Sequence, residues 1–138
     1  MKKIIIIAIM ALVSCFANAQ TISKLTCYST LCEFDNGQVE KCSVKITIND
    51  NRNSSTILVK NIRTNETVIR YVIKTIDEFT DRSEGREGYV LDGLITNLSE
   101  EPTYCKAILG HDMVNDEVVL VFQSIGVMFR NLKDAKYE

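Results

Sequence analysis

From Glu117 to Phe122 the chain reads EVVLVF, and no other stretch constrains its fold as strongly. Extended backbone sends successive side chains to opposite faces. Val118, Leu120 and Phe122 therefore share one face, and Val119 and Val121 the other. A β-branched run that is apolar on both sides predicts a strand covered on both faces. Gln123–Gly126 offers a break, and Ile125, Val127 and Phe129 resume on alternate positions. Glu117–Leu132 thus predicts an antiparallel hairpin, the most buried one of a small β-domain.

The same period of two recurs upstream. Val44, Ile46 and Ile48 alternate with Lys45 and Thr47, and Ile57 and Val59 return to one face in Thr56–Lys60. In Thr67–Ile76, Ile69, Tyr71 and Ile73 share a face with no charge between them. Tyr89–Thr96 and Thr103–Leu109 predict two further strands. Asn36-Gly37, between Leu31–Phe34 and Val39–Cys42, supplies the positive φ that a tight hairpin turn needs. Thr21–Tyr28 reads as a short edge strand, Asp77–Gly88 as an exposed polar loop, and Lys133–Glu138 as a polar tail. No segment combines helical periodicity with caps. The prediction is an all-β antiparallel meander of about 7–9 short strands, forming a curled sheet, small barrel or sandwich.

Residues YVLDG (Tyr89–Gly93), YCKAIL (Tyr104–Leu109) and Val118–Leu132 resemble the C-terminal half of small exported bacterial β-proteins of unknown function. That resemblance implies a calycin-like curled sheet ending in an apolar hairpin, and it implies no activity.

The chain begins Met1-Lys2-Lys3, continues with the apolar run Ile4–Val13, and reaches Ala17-Asn18-Ala19 before Gln20. A positive start, a short apolar core and small residues at a cleavage site predict a secretory signal peptide over 1–19. The run is shorter than the ~20 residues a membrane-spanning helix needs. Residues 20–138 are then one β-domain, periplasmic or secreted. Leu12-Val13-Ser14-Cys15 also resembles the lipobox of bacterial lipoproteins. Acylation of Cys15 would make the protein an outer-membrane lipoprotein, and membrane contact is expected only in that case. Losing Lys2 and Lys3 from 16 basic side chains against 18 acidic ones leaves a net charge of about −4. That balance, scattered along the chain, excludes the clustered basic face of a nucleic-acid binder.

Cys27, Cys32, Cys42 and Cys105 follow the cleavage site. An even number in a small exported chain predicts two disulfides, with three connectivities open and Cys105 joined to one of the other three. Their spacing matches no zinc finger.

Candidate chemistry is sparse. His111 reads as a surface turn histidine without enough companions for metal or triad work. No phosphate-binding glycine loop, zinc-protease helix or nucleophile elbow occurs. No cofactor and no catalysis are expected. The expected function is a non-catalytic binding module for an apolar small molecule or a protein partner, with Ile69, Tyr71, Ile73, Phe122 and Phe129 as a possible apolar pocket. The alternative is a structural, envelope-associated protein anchored at Cys15.

Overall fold

The alternating runs pair in chain order. A computed structural model describes residues 23–51 and 54–137, so the expectations for residues 1–19, Cys15 included, lie outside the described residues. The strands are β1 (Ser23–Phe34), β2 (Val39–Asn51), β3 (Ser54–Asn61), β4 (Thr67–Asp81), β5 (Arg86–Ile95), β6 (Thr103–Asp112), β7 (Glu117–Phe122), β8 (Val127–Arg130) and β9 (Lys133–Tyr137). Each of β1 to β8 is antiparallel to the next, and β8 returns to β1 through Leu31↔Arg130 to Phe34↔Val127. The result is a closed, eight-stranded up-and-down barrel with one extra strand. Closure removes the open sheet edges that a sandwich would leave.

β9 continues the line of β8. Asn131 takes a left-handed φ of 52°, and the chain then runs on along the first half of β1, pairing Tyr28↔Lys133 and Leu25↔Tyr137. β1 is therefore the seam strand, hydrogen-bonded on both sides, where the sequence predicts an edge strand. Ser29 marks its irregular point. Ser29 faces Val44 but Leu31 faces Lys41, so the ladder slips there. The Ser29 hydroxyl shares its proton between the carbonyls of Leu31 (2.9 Å) and Arg130 (2.7 Å), supplying a donor where the regular ladder is disrupted.

Barrels of eight strands are just wide enough for side chains to fill. Here Val118, Leu120 and Phe122 point inward with no exposed surface, sharing the core with Leu25, Ile46, Ile57 and Ile95 from other strands. Tyr71 sits among them. Its ring meets Phe122 edge-on at 5.4 Å, and Phe122 meets Phe129 at 6.3 Å. The Tyr71 hydroxyl is shared between the carbonyls of Cys105 (2.6 Å) and Leu91 (3.2 Å), so its polar end is satisfied inside the core. Gly93 lies beneath that ring. A Cβ there would collide with the Val72 carbonyl and stand 2.8 Å from Tyr71 Cζ. At the predicted Asn36-Gly37 turn, Gly37 has φ 85° and its amide donates to the Phe34 carbonyl at 2.9 Å.

Three further sequence expectations are corrected here. Asp77–Gly88 is mostly strand, with Asp77↔Val90 to Asp81↔Arg86 paired and only a tight turn at residues 82–85. This part of β4 lies beyond its last pairing with β3, Ser55↔Ile73, so its side chains are solvated and read as a loop. The polar tail is β9, a strand whose lysines suit an outer position. Finally, the two expected disulfides are absent. Cys27, Cys32, Cys42 and Cys105 are free thiols, with no pair at bonding distance. The register explains why Cys105 is unbridged: it faces Gly93 on β5, and β7 and β8 separate its strand from β1. Backbone pairing of β8 with β1, not a covalent staple, closes the barrel.

Candidate groove on the outer face

The second face of the EVVLVF strand is where the structure departs most usefully from expectation. Val119 and Val121 point outward and are only partly covered. Cross-strand pairing arranges them in rows that run around the barrel. One row is Phe79, Gly88, Gly110 and Val119, neighbours through Phe79↔Gly88, Gly88↔Gly110 and Gly110↔Val119. The next is Ile108, Val121 and Met128, ending at Glu33 on β1. Below the first row stand Asp81, Arg86, Asp112 and Glu117, again successive cross-strand partners.

Two glycines stand in register here, and Gly110 lines the hollow. Gly88 and Gly110 add no side chain to the row between Phe79 and Val119, and both are buried. A Cβ on Gly110 would stand 3.7 Å from Phe79 Cζ, so the ring lies against the glycine. A Cβ on Gly88 would collide with the Leu109 carbonyl and reach Gly110 Cα at 2.8 Å, so the position admits glycine alone. The hollow has a volume of about 470 Å³, and a second of about 420 Å³ shares Glu33, Val121 and Met128 with it. The second is walled by Phe34, Asp35 and Gly37 of the β1–β2 hairpin.

Charges line one side of the groove. Arg130 grips Glu117 with two nitrogens (Nε at 2.9 Å, Nη2 at 3.2 Å) and reaches Glu33 at 3.3 Å. Hydrogen bonding to Glu117 raises the guanidinium pKa further, and Arg130 stays charged. Asp112 accepts hydrogen bonds from the Asn115 side chain (2.9 Å) and the Val114 amide (3.0 Å). Those bonds, with the Arg86 charge, hold its carboxyl below the usual range. Asp81 is lowered in the same way, first by the Ser83 hydroxyl at 2.6 Å. Four carboxylates (Glu33, Asp81, Asp112, Glu117) thus stand against two guanidiniums, Arg86 and Arg130. The groove offers an apolar floor with a net negative border.

His111 closes the same end of the barrel from within. It is buried, not on the surface as the turn position predicts. Its Nε2 lies 2.9 Å from Asp116 Oδ1 and its Nδ1 3.7 Å from Glu87 Oε1. Its cross-strand partner Val118 is interior, which fixes its direction. Both ring nitrogens face carboxylates, an arrangement that anchors the β6–β7 turn. Among the described residues no group of three or more His, Cys, Asp or Glu side chains converges as metal ligands would.

The five residues named from the sequence as a possible pocket, Ile69, Tyr71, Ile73, Phe122 and Phe129, are all buried in the barrel interior, and none lines either hollow. Phe79, Gly88, Gly110 and Met128 were not singled out by the sequence. One signal was available: a strand apolar on both faces needs a use for its second face. Comparison with protein-family models, curated proteins and solved structures finds no match to this chain.

Proposed function

We propose that the chain is an exported, non-catalytic binding barrel that takes a small amphiphilic ligand on its outside. The observation that carries this reading is the pair of apolar rows, Phe79–Gly88–Gly110–Val119 and Ile108–Val121–Met128, on the outer face of a barrel filled within. Small-molecule sites are apolar hollows of roughly 300–1,000 Å³ with a few placed polar groups, and the groove fits that description. Its border selects the ligand's polar end. Arg130 is already shared by two glutamates, so the uncompensated charge is negative and favours a cationic head group. The ligand class is an apolar body with one positive end.

Displacement of a neutral apolar fluorophore by an alkyltrimethylammonium ion, with the corresponding alkyl sulfate as comparison, tests this. The cation should compete more strongly, and the preference should shrink as salt rises. Val121→Lys and Gly110→Val, which place a positive charge on the floor or fill it, should each weaken binding at least tenfold. Phe122→Leu, inside the barrel, should leave it unchanged. Saturable binding that ignores the outer substitutions, or no binding at all, overturns the proposal.

A further inference from the structure

We infer that Cys32 and Cys42 form an oxidisable dithiol site, reduced in this structure and able to close into a single disulfide across β1 and β2. The pairing of the two strands places them together. Cys32 faces Glu40, and Cys42 stands two residues further along β2. On a regular ladder that diagonal would separate their side chains, but here the strands slip between Ser29 and Leu31. Two steps on β1 are matched there by three on β2, from Val44 to Lys41. The slip falls beside Cys42. Cys32 is buried and its other cross-strand partner, Phe129, is interior, so its thiol points inward. Cys42 is half-buried and packs against the same core. Cys42 Sγ lies 3.8 Å from the Ser29 carbonyl, at the slip that brings Cys42 toward Cys32.

The other two cysteines have no such arrangement. Cys27 faces Ile46 and Cys105 faces Gly93, and both are buried. Burial pushes the Cys27 thiol up to about 12, so it remains protonated and inert. Cys105 Sγ lies 3.5 Å from the carbonyl of its own neighbour, Lys106. Oxidation should therefore be confined to one pair of the four.

The reaction is thiol–disulfide exchange with an external disulfide as oxidant. Cys42, the more accessible thiol, loses its proton and attacks one sulfur of that disulfide, breaking its S–S bond and releasing one thiol. Cys32 then loses its proton and attacks Cys42 Sγ, expelling the second thiol. Two protein S–H bonds and one external S–S bond are consumed; one protein S–S bond and two external thiols form. Both electrons leave with the external thiols. Burial and the neighbouring Cys32 thiol push Cys42 up to about 11, so the attacking thiolate is scarce at neutral pH. Exchange should be slow at pH 7 and about tenfold faster for each pH unit up to 9. The bridge would close the loop around the Phe34–Val39 hairpin, whose turn walls the second hollow.

The test uses reduced, folded protein and oxidised glutathione, followed by acid quenching, alkylation and peptide mapping. The expected product is one cross-linked peptide joining Cys32 to Cys42, with Cys27 and Cys105 still reduced. In Cys32→Ser the reaction should stop at a glutathione adduct on Cys42, and in Cys27→Ala the bridge should form as before. Far-ultraviolet circular dichroism and the alkylation pattern of untreated samples establish that each variant is folded. A bridge through Cys27 or Cys105 in folded protein overturns the assignment. So does recovery of both Cys32 and Cys42 as free thiols when the urea-unfolded chain oxidises under the same glutathione.

Discussion

The ring of Tyr71 meets that of Phe122 edge-on, 5.4 Å apart at 74°, and this contact joins β4 to β7 through the middle of the barrel. The two strands are not hydrogen-bonded neighbours, so their association rests on side chains alone. Phe122 has no exposed surface, and its truncation should leave a cavity that surrounding strands cannot close. Phe122→Ala should cost about 3–5 kcal/mol. Tyr71→Phe keeps the ring but removes the donor that satisfies the Cys105 and Leu91 carbonyls, and should cost about 1–3 kcal/mol. Urea unfolding measures both. A loss below ~1 kcal/mol for Phe122→Ala would show that the aromatic cluster is not the packed centre.

Gly93 and Gly37 should respond to alanine in opposite ways. At Gly93 the backbone is unstrained, but an added methyl meets the Val72 carbonyl and the Tyr71 ring, neither of which can move freely. Gly93→Ala should displace Tyr71 and leave little folded protein at 37 °C. At Gly37 nothing lies within 4 Å, and the cost comes only from its φ of 85°, about 1–2 kcal/mol. Comparing the two by thermal unfolding separates crowding from conformational preference. Equal losses would contradict the close packing of Tyr71 on Gly93.

Much of this architecture was legible because side-chain alternation and strand pairing obey the same period. Val118, Leu120 and Phe122 could be assigned one face from spacing alone, and the Asn36-Gly37 turn from backbone preference. Barrel closure was not legible, since it depends on Leu31–Phe34 meeting Val127–Arg130, a pairing across almost a hundred residues. The groove was hidden for a related reason. Gly88 and Gly110 are unremarkable in sequence and matter only because the register sets them side by side beneath Phe79. His111 misled in the other direction: beside a turn it read as exposed, whereas its inward parity on β6 buries it against Asp116.

Stability should decline as pH rises above 9. Burial raises Cys27 from 9.0 to about 12, and burial with the nearby Cys105 thiol raises Tyr71 above 10.0. Between the ordinary and folded values the unfolded chain has lost these protons while the folded chain keeps them. The contribution is therefore whole below pH 9 and is lost as pH rises toward 12. Each group adds a slope of up to about 1.4 kcal/mol per pH unit. On the acid side the sign reverses for Asp81, Asp92 and Asp112, whose lowered values favour folding above about pH 4 and lose that effect below it. Unfolding free energies across pH 7–11 should show the alkaline fall, shallower in Cys27→Ala. A flat profile to pH 11 would mean that neither group is buried.

Arg130 should hold the seam of the barrel. The ladder from β7 to β8 has three pairs, Leu120↔Phe129 to Phe122↔Val127, and that from β8 to β1 has four. These are short compared with the ten pairs joining β5 to β6, and a short ladder opens at lower free energy. Arg130 spans both: it forks onto Glu117 of β7 and reaches Glu33 of β1. Its side chain is 34% exposed, so solvent screens the pairs and the expected loss in Arg130→Ala is modest, about 1 kcal/mol. Location matters more than size. Amide exchange should accelerate at Leu31–Phe34 and Val127–Phe129 while β5 and β6 keep their protection, and 1 M salt should partly reproduce the effect in the unsubstituted protein. A Glu117→Gln, Arg130→Ala double-mutant cycle isolates the fork, and a coupling near zero would assign closure to the backbone ladders alone.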